Sequence, residues 1–114
     1  MLLLTKGEPQ PVQRIIAAAL ISVCLTTASV GAQQAKDYYD RGLESSLAYK
    51  RIEYFTKALQ LNPNLAEAYE KRAIHYFFQG KLDRAIGDCT KALELKPNSP
   101  ALYKMRGLAY LKKG

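Results

Sequence analysis

Three arginines stand at one recurring place, in Tyr38-x2-Arg41, Tyr69-x2-Arg72 and Tyr103-x2-Arg106. Carried on successive helices, they could form a ladder for an acidic ligand, since each guanidinium offers a planar fork of donors to a carboxylate. At the edge of a helix pair the same side chains would instead lay their stems on apolar surface and keep their heads in water. The residue types leave both readings open.

Catalytic chemistry has less to work with. His75 is the sole histidine and sits between Ile74 and Tyr76, where a surface or packing role is expected. A metal needs several ligands at workable spacing, and neither Cys24 nor Cys89 has such neighbours. Cys24 lies in an N-terminal apolar run and Cys89 at a packing position, so no disulfide is expected. There is no Ser-His-Asp set arguable from spacing, no glycine-rich phosphate loop and no carboxylate pair in an apolar setting. Asp83 and Asp88 read as solvated charges, Asp83 favouring a helix start through the dipole. A non-enzyme is expected, with no catalytic residue, cofactor, metal or small-molecule substrate.

The elements that would position these residues follow from a period. Tyr69, Arg72, Ala73, Tyr76 and Gly80 are echoed 34 residues on by Tyr103, Arg106, Gly107, Tyr110 and Gly114. Cys89, Ala92, Leu93, Leu95 and Pro97 are echoed 34 residues back by Phe55, Ala58, Leu59, Leu61 and Pro63. A fixed period of this length means stacked supersecondary units. The pattern Tyr69-x2-Arg72-Ala73-x2-Tyr76, Gly80, Ala85-x3-Cys89, Ala92, Pro97 resembles the tetratricopeptide repeat family, with Tyr69 and Tyr103 in the tryptophan slot and Phe55 then Cys89 in the phenylalanine slot.

The resemblance implies an all-α, right-handed superhelical stack of antiparallel helix-turn-helix hairpins over residues 33–114, as repeats at about 33–64 and 65–99 and a partial one at 100–114. It also implies that the arginine slot is a packing edge between paired helices. Within the repeats, 51–61 is expected to be helical on the apolar spacing of Ile52, Phe55, Ala58 and Leu59. Asn62-Pro63-Asn64 should stop it, and Asn64 with Glu67 should form a capping box. Helices follow at 65–78, 82–95 and 101–113, with a turn at 79–81 and Ser99-Pro100 opening the last helix. The first repeat fits less well. Matching Tyr38-x2-Arg41-Gly42 to Tyr69-x2-Arg72-Ala73 leaves three residues missing, which predicts a shortened first helix over 33–46 or a tightened turn near 45–49.

Residues 1–32 are a different material. Lys6 and Arg14, with Pro9 and Pro11 against helix, precede an uncharged stretch at 15–30 that ends in Val30-Gly31-Ala32. That is the order of a secretory signal peptide, an N-terminal hydrophobic targeting segment cleaved near Ala32 to leave an exported, periplasmic or secreted chain starting at Gln33. The alternative is a retained membrane anchor using residues 15–32, short for a span, with the repeats still outside the cytoplasm.

The chain carries a formal charge of +7, and a basic surface attracts acidic partners, lipid or nucleic acid without specificity. The basic residues are scattered, and acid–base pairs four apart are expected at Asp37–Arg41, Glu53–Lys57 and Glu67–Lys71. No aromatic-basic motif or zinc spacing supports nucleic acid, so a basic nucleic-acid or lipid binder is disfavoured.

What remains is a protein-interaction module, a scaffold or adaptor. In the resembled family the first helices of the repeats line a concave groove for a partner peptide. The matching slots here are Lys36, Tyr39 and Leu43, then Glu67, Glu70, Ile74 and Phe77, then Ala101, Lys104, Leu108 and Leu111. Leu43, Ile74 and Leu108 would form one row across the groove, and Phe77 with Leu111 a second. A carboxylate clamp for chaperone tails does not fit, since Lys71 alone supplies a donor at those slots. The last helix is apolar for an outermost one, which points to an incomplete fragment of a longer array, a partner, or self-association through that helix. The register makes a prediction. Ala73→Leu overpacks a small-residue position and lowers stability by roughly 1–3 kcal/mol; an unchanged thermal midpoint would disprove the register.

Overall fold

A computed structural model describes residues 10–114. Lys6, Glu8 and Pro9, and the side chain of Cys24, lie outside the described residues. Among the described residues there are five helices and no strand: α1 (Pro11–Glu44), α2 (Ala48–Leu61), α3 (Ala66–Phe78), α4 (Leu82–Leu95) and α5 (Pro100–Lys113). The chain divides into two units, Met1–Val30 and Gly31–Gly114.

In the first unit, Pro11 opens the helix instead of breaking it, because the first helical position has no partner for its N–H in any case. Val12, Ile15, Ile16, Leu20, Val23 and Val30 are exposed. No helix among the described residues is long and apolar enough to cross a membrane.

In the second unit, α2 packs on α3, α3 on α4 and α4 on α5, and α3 also touches α5. Alanines make the close approach possible: Ala58, Ala68, Ala73, Ala85, Ala92 and Ala109 have no solvent exposure. One core cluster joins Ala58, Leu59 and Ala68, with Tyr38, Tyr39, Leu65 and Tyr69 packed around it. A second joins Ala92, Leu93 and Leu102. Tyr69 packs against both, so its ring joins the core at α2–α3 to the core at α4–α5.

The turn between α3 and α4 is chemically specified. Gly80 takes φ +73°, a left-handed conformation that costs glycine nothing. Gly80 N–H then bonds the Phe77 carbonyl at 3.0 Å and Lys81 N–H the Tyr76 carbonyl at 2.8 Å, which closes a Schellman end on α3. The turn between α1 and α2 has the same length, 45–47, without a glycine. There Leu47 N–H bonds Ser45 Oγ at 3.3 Å, and Arg51 Nε donates to the Ser45 carbonyl. The expected shortening of the first helix is therefore corrected. Both turns join helices in the same 34-residue register, so Gly42 corresponds to Tyr76 and Tyr39 to Ala73. The Tyr38-x2-Arg41-Gly42 echo is local likeness, one helical turn out of step with the packing.

Two local expectations also change. Leu65, and not Asn64, precedes α3, with no side-chain cap. Asn64 N–H instead bonds Asn62 Oδ1 at 3.1 Å, an Asx turn that uses the capping segment differently. Glu53–Lys57 pairs as expected at 2.9 Å. Glu67, however, pairs with Lys96, and Asp37 accepts from Gln33 at 3.0 Å, leaving Arg41 over the Tyr38 ring.

The register explains an exchange of bulk. Phe55 is 1% exposed and lies between the rings of Tyr39, 5.7 Å away, and His75, 6.0 Å away. A Cβ on Gly42 would stand 2.5 Å from Phe55 Cε1. At the corresponding places of the next repeat stand Tyr76 and Cys89, both buried. Small-with-large in one hairpin thus becomes large-with-small in the other. Gly→Ala in a helix normally stabilises by about 1 kcal/mol. Here Gly42→Ala should instead destabilise by about 1–3 kcal/mol in urea unfolding, and adding Phe55→Leu should recover part of the loss. A midpoint raised by Gly42→Ala alone would show that the ring yields freely.

Candidate functional site

Helices α3 and α5 touch beside α4, and their contact leaves a cavity of about 310 Å3. Ile74, Phe77 and Phe78 line it from the last turns of α3, and Ala101, Lys104, Met105 and Leu108 from α5. Residues three and four apart share a helix face, so both sets are single stripes. Lys104 supplies the charge of the lining; the other lining residues are apolar. Phe77 and Phe78 meet edge to face at 5.8 Å, and Lys112 Nζ stands 4.9 Å above the Phe77 ring. Phe78 remains 77% exposed, an unusual state for a ring of its size beside an apolar cavity.

Of the expected groove residues, the structure brings Ile74, Phe77, Lys104 and Leu108 together, with Ala101. Leu111 is exposed and outside that lining, as is Leu43. In the corrected register Leu43 falls level with Phe77 and Leu111, so the row of Leu43, Ile74 and Leu108 does not form. Tyr39 packs against the core cluster at Ala58, Leu59 and Ala68, and burial pushes its pKa up. Glu67 is engaged with Lys96, which holds its carboxyl below the usual range, and neither it nor Glu70 lines the cavity. Lys36 pairs with Asp40 at 2.9 Å. Phe78 and Met105 were not among the expected residues. Each lies four residues after a groove slot, Ile74 and Ala101, and that spacing was the available signal.

The arginine slot resolves residue by residue. Arg72 binds Asp88 through Nε and Nη2, both at 2.7 Å, and donates from Nη1 to Thr56 Oγ1 at 3.1 Å. The Arg72 and Asp88 side chains are 17% and 8% exposed, so Asp88 is a buried ion-pair partner and not a solvated charge. The bidentate carboxylate raises the Arg72 pKa further. Arg106 repeats half of this, with Nη1 3.4 Å from Thr90 Oγ1. Arg41 lies over the ring of Tyr38 instead. With Arg72 already neutralised, the three do not form a uniform ladder. Asp83 is exposed and pairs with Lys113 at 2.7 Å.

The remaining reactive side chains are packed. Burial lowers the His75 pKa, with Arg51 and Lys71 adding to it. Burial pushes the Cys89 thiol up to about 11, which removes its nucleophilic form near neutrality. Among the described residues no group of His, Cys, Asp or Glu is placed to hold a metal ion.

Two paired helices, a Schellman turn and buried small residues at the crossing define a helical-hairpin repeat. The family model of the tetratricopeptide repeat matches residues 66–99, which are α3, α4 and their turns. That segment is a tetratricopeptide repeat. No curated protein matches the chain. Repeats of this family generally serve protein–protein contacts and are generally non-enzymatic.

Removing one partner of a buried ion pair strands the other charge. Asp88→Ala should therefore cost about 3 kcal/mol of unfolding free energy, while Asp88→Leu combined with Arg72→Met should restore most of it. Equal midpoints for Asp88→Ala and the parent would mean that water reaches the guanidinium.

Proposed function

We propose that the chain is a protein-interaction module that holds a partner peptide at the α3–α5 cavity, and that it works outside the cytoplasm after cleavage near Ala32. The cavity carries the first part of the reading. An apolar depression of about 310 Å3 with an exposed phenylalanine at its side is a place where burial of a partner's side chain is favourable. Its lining comes from α3 and α5, and in the resembled family the first helices of successive repeats line the groove for a partner peptide. Lys104 and Lys112 add positive charge, which suits a ligand with leucine- or phenylalanine-like anchors and an acidic neighbour. The second part rests on sequence: the uncharged stretch at 15–30, preceded by Arg14 and followed by Gly31-Ala32.

The test is selection of a random-peptide library on the immobilised chain. Enriched peptides should carry paired apolar anchors. Leu108 is 46% exposed, so Leu108→Asp should leave helicity by circular dichroism unchanged and weaken those peptides by about tenfold or more. Equal binding to Leu108→Asp would refute the cavity as the site.

A further inference from the structure

The wall of the α3–α5 cavity contains one readily oxidised side chain. Lys104 carries its charge, Met105 brings a thioether, and the rest of the lining is hydrocarbon. Met105 is half-buried, so part of its side chain stays in reach of a small oxidant from solvent. The chain's other methionine is Met1. The thiol of Cys89 has no solvent exposure and is held protonated by a pKa raised to about 11, so it competes poorly for the same reagent. The helix stack makes no demand for an apolar group at this place. Carried 34 residues back, the position is Lys71, a half-buried lysine on α3. The thioether therefore matters to the cavity and not to the crossing of the helices.

We infer that Met105 is an oxidation switch: a hydroperoxide turns its thioether into the sulfoxide, and the cavity then releases its apolar partner while the fold persists. This role rests on the cavity being the peptide site proposed above. With hydrogen peroxide, a sulfur lone pair attacks one peroxide oxygen and the O–O bond breaks. The proton of the transferred hydroxyl passes to the departing hydroxide, and water leaves. Sulfur is oxidised by two electrons and the peroxide is reduced by two. The product places a polar S=O group in a wall that is otherwise hydrocarbon beside Lys104. An apolar partner side chain would seal that group from water, and a polar group buried without a donor is costly. Since a lysine is accommodated at the matching place of α3, the oxidised chain keeps its helices. The change is reversible, because methionine sulfoxide reductases restore the thioether.

The test uses the full chain and the library peptides selected on it. Hydrogen peroxide should add one oxygen at Met105, located by tandem mass spectrometry, with helicity and thermal midpoint unchanged. Affinity for the selected peptides, read by fluorescence anisotropy, should fall by about tenfold or more, and methionine sulfoxide reductase with a thiol reductant should restore it. Met105→Leu sets its own starting affinity, and peroxide should leave that value where it was. Bound peptide should slow the oxidation of Met105, which a methionine away from the site would not show. The switch is overturned if the sulfoxide form binds as tightly as the parent, or if peroxide weakens Met105→Leu just as much. It is also overturned if Met105 survives while a free methionine peptide is consumed, or if oxidation melts the helices, since the loss is then unfolding. If the selected peptides bind Leu108→Asp as well as the parent, the cavity is not their site, and the proposed function and the switch fail together.

Discussion

The guanidinium of Arg72 joins three consecutive helices. It reaches back to Thr56 on α2, belongs to α3, and grips Asp88 on α4 with two hydrogen bonds at 2.7 Å. A guanidinium with partners at fixed angles permits one sliding position of α4 on α3, where apolar side chains alone would tolerate several. Helix hairpins built on alanines have flat, forgiving surfaces, since Ala73, Ala85 and Ala92 offer little relief to lock one register. The buried pair supplies that lock, and its desolvation is offset because no buried side-chain N or O atom lacks a partner among the described residues.

Around that lock, bulk is traded and not copied. Gly42 with Phe55 and Tyr76 with Cys89 occupy matching places in the two hairpins. Each pair has one large and one small side chain, so the combined bulk at the two places is similar. The exchange has a chemical consequence. With Phe55 in the first hairpin, an aromatic column of Tyr39, Phe55 and His75 runs between α1, α2 and α3. In the second, Cys89 and Tyr76 are both buried, and burial makes the thiol inert near neutrality.

This trade explains what the sequence made legible and what it did not. The bounds of α4 at Leu82 and Leu95 and the turn at Gly80 are readable because glycine, proline and the apolar spacing mark them independently. The first repeat misleads, because Tyr38-x2-Arg41-Gly42 imitates Tyr69-x2-Arg72-Ala73 while the packing asks only that large meet small. A pattern read one position at a time cannot register a swap between two positions on different helices. The same limit hides the partner of Arg72: Asp88 lies on the next helix, and its acidity suggests solvent until the fold places it beside a guanidinium. For the cavity, Ile74, Phe77, Lys104 and Leu108 follow from helix spacing, whereas Phe78 looks like the end of a helix and becomes a wall once α5 lies beside it.

The two flanks of α5 differ in chemistry. A helix in a repeat stack has a core-facing stripe, here Leu102 and Ala109, both buried. On one side of that stripe lie the cavity residues, apolar and shared with α3. On the other lie two tyrosines, a glycine and an arginine, whose twins on α3 are joined to α4 by burial and by an ion pair. Apolar burial is indifferent to its partner, whereas a guanidinium held by Thr90 on one side discriminates by charge on the other. The cavity flank is thus indifferent to which apolar group lies against it, and the Arg106 flank is selective for charge.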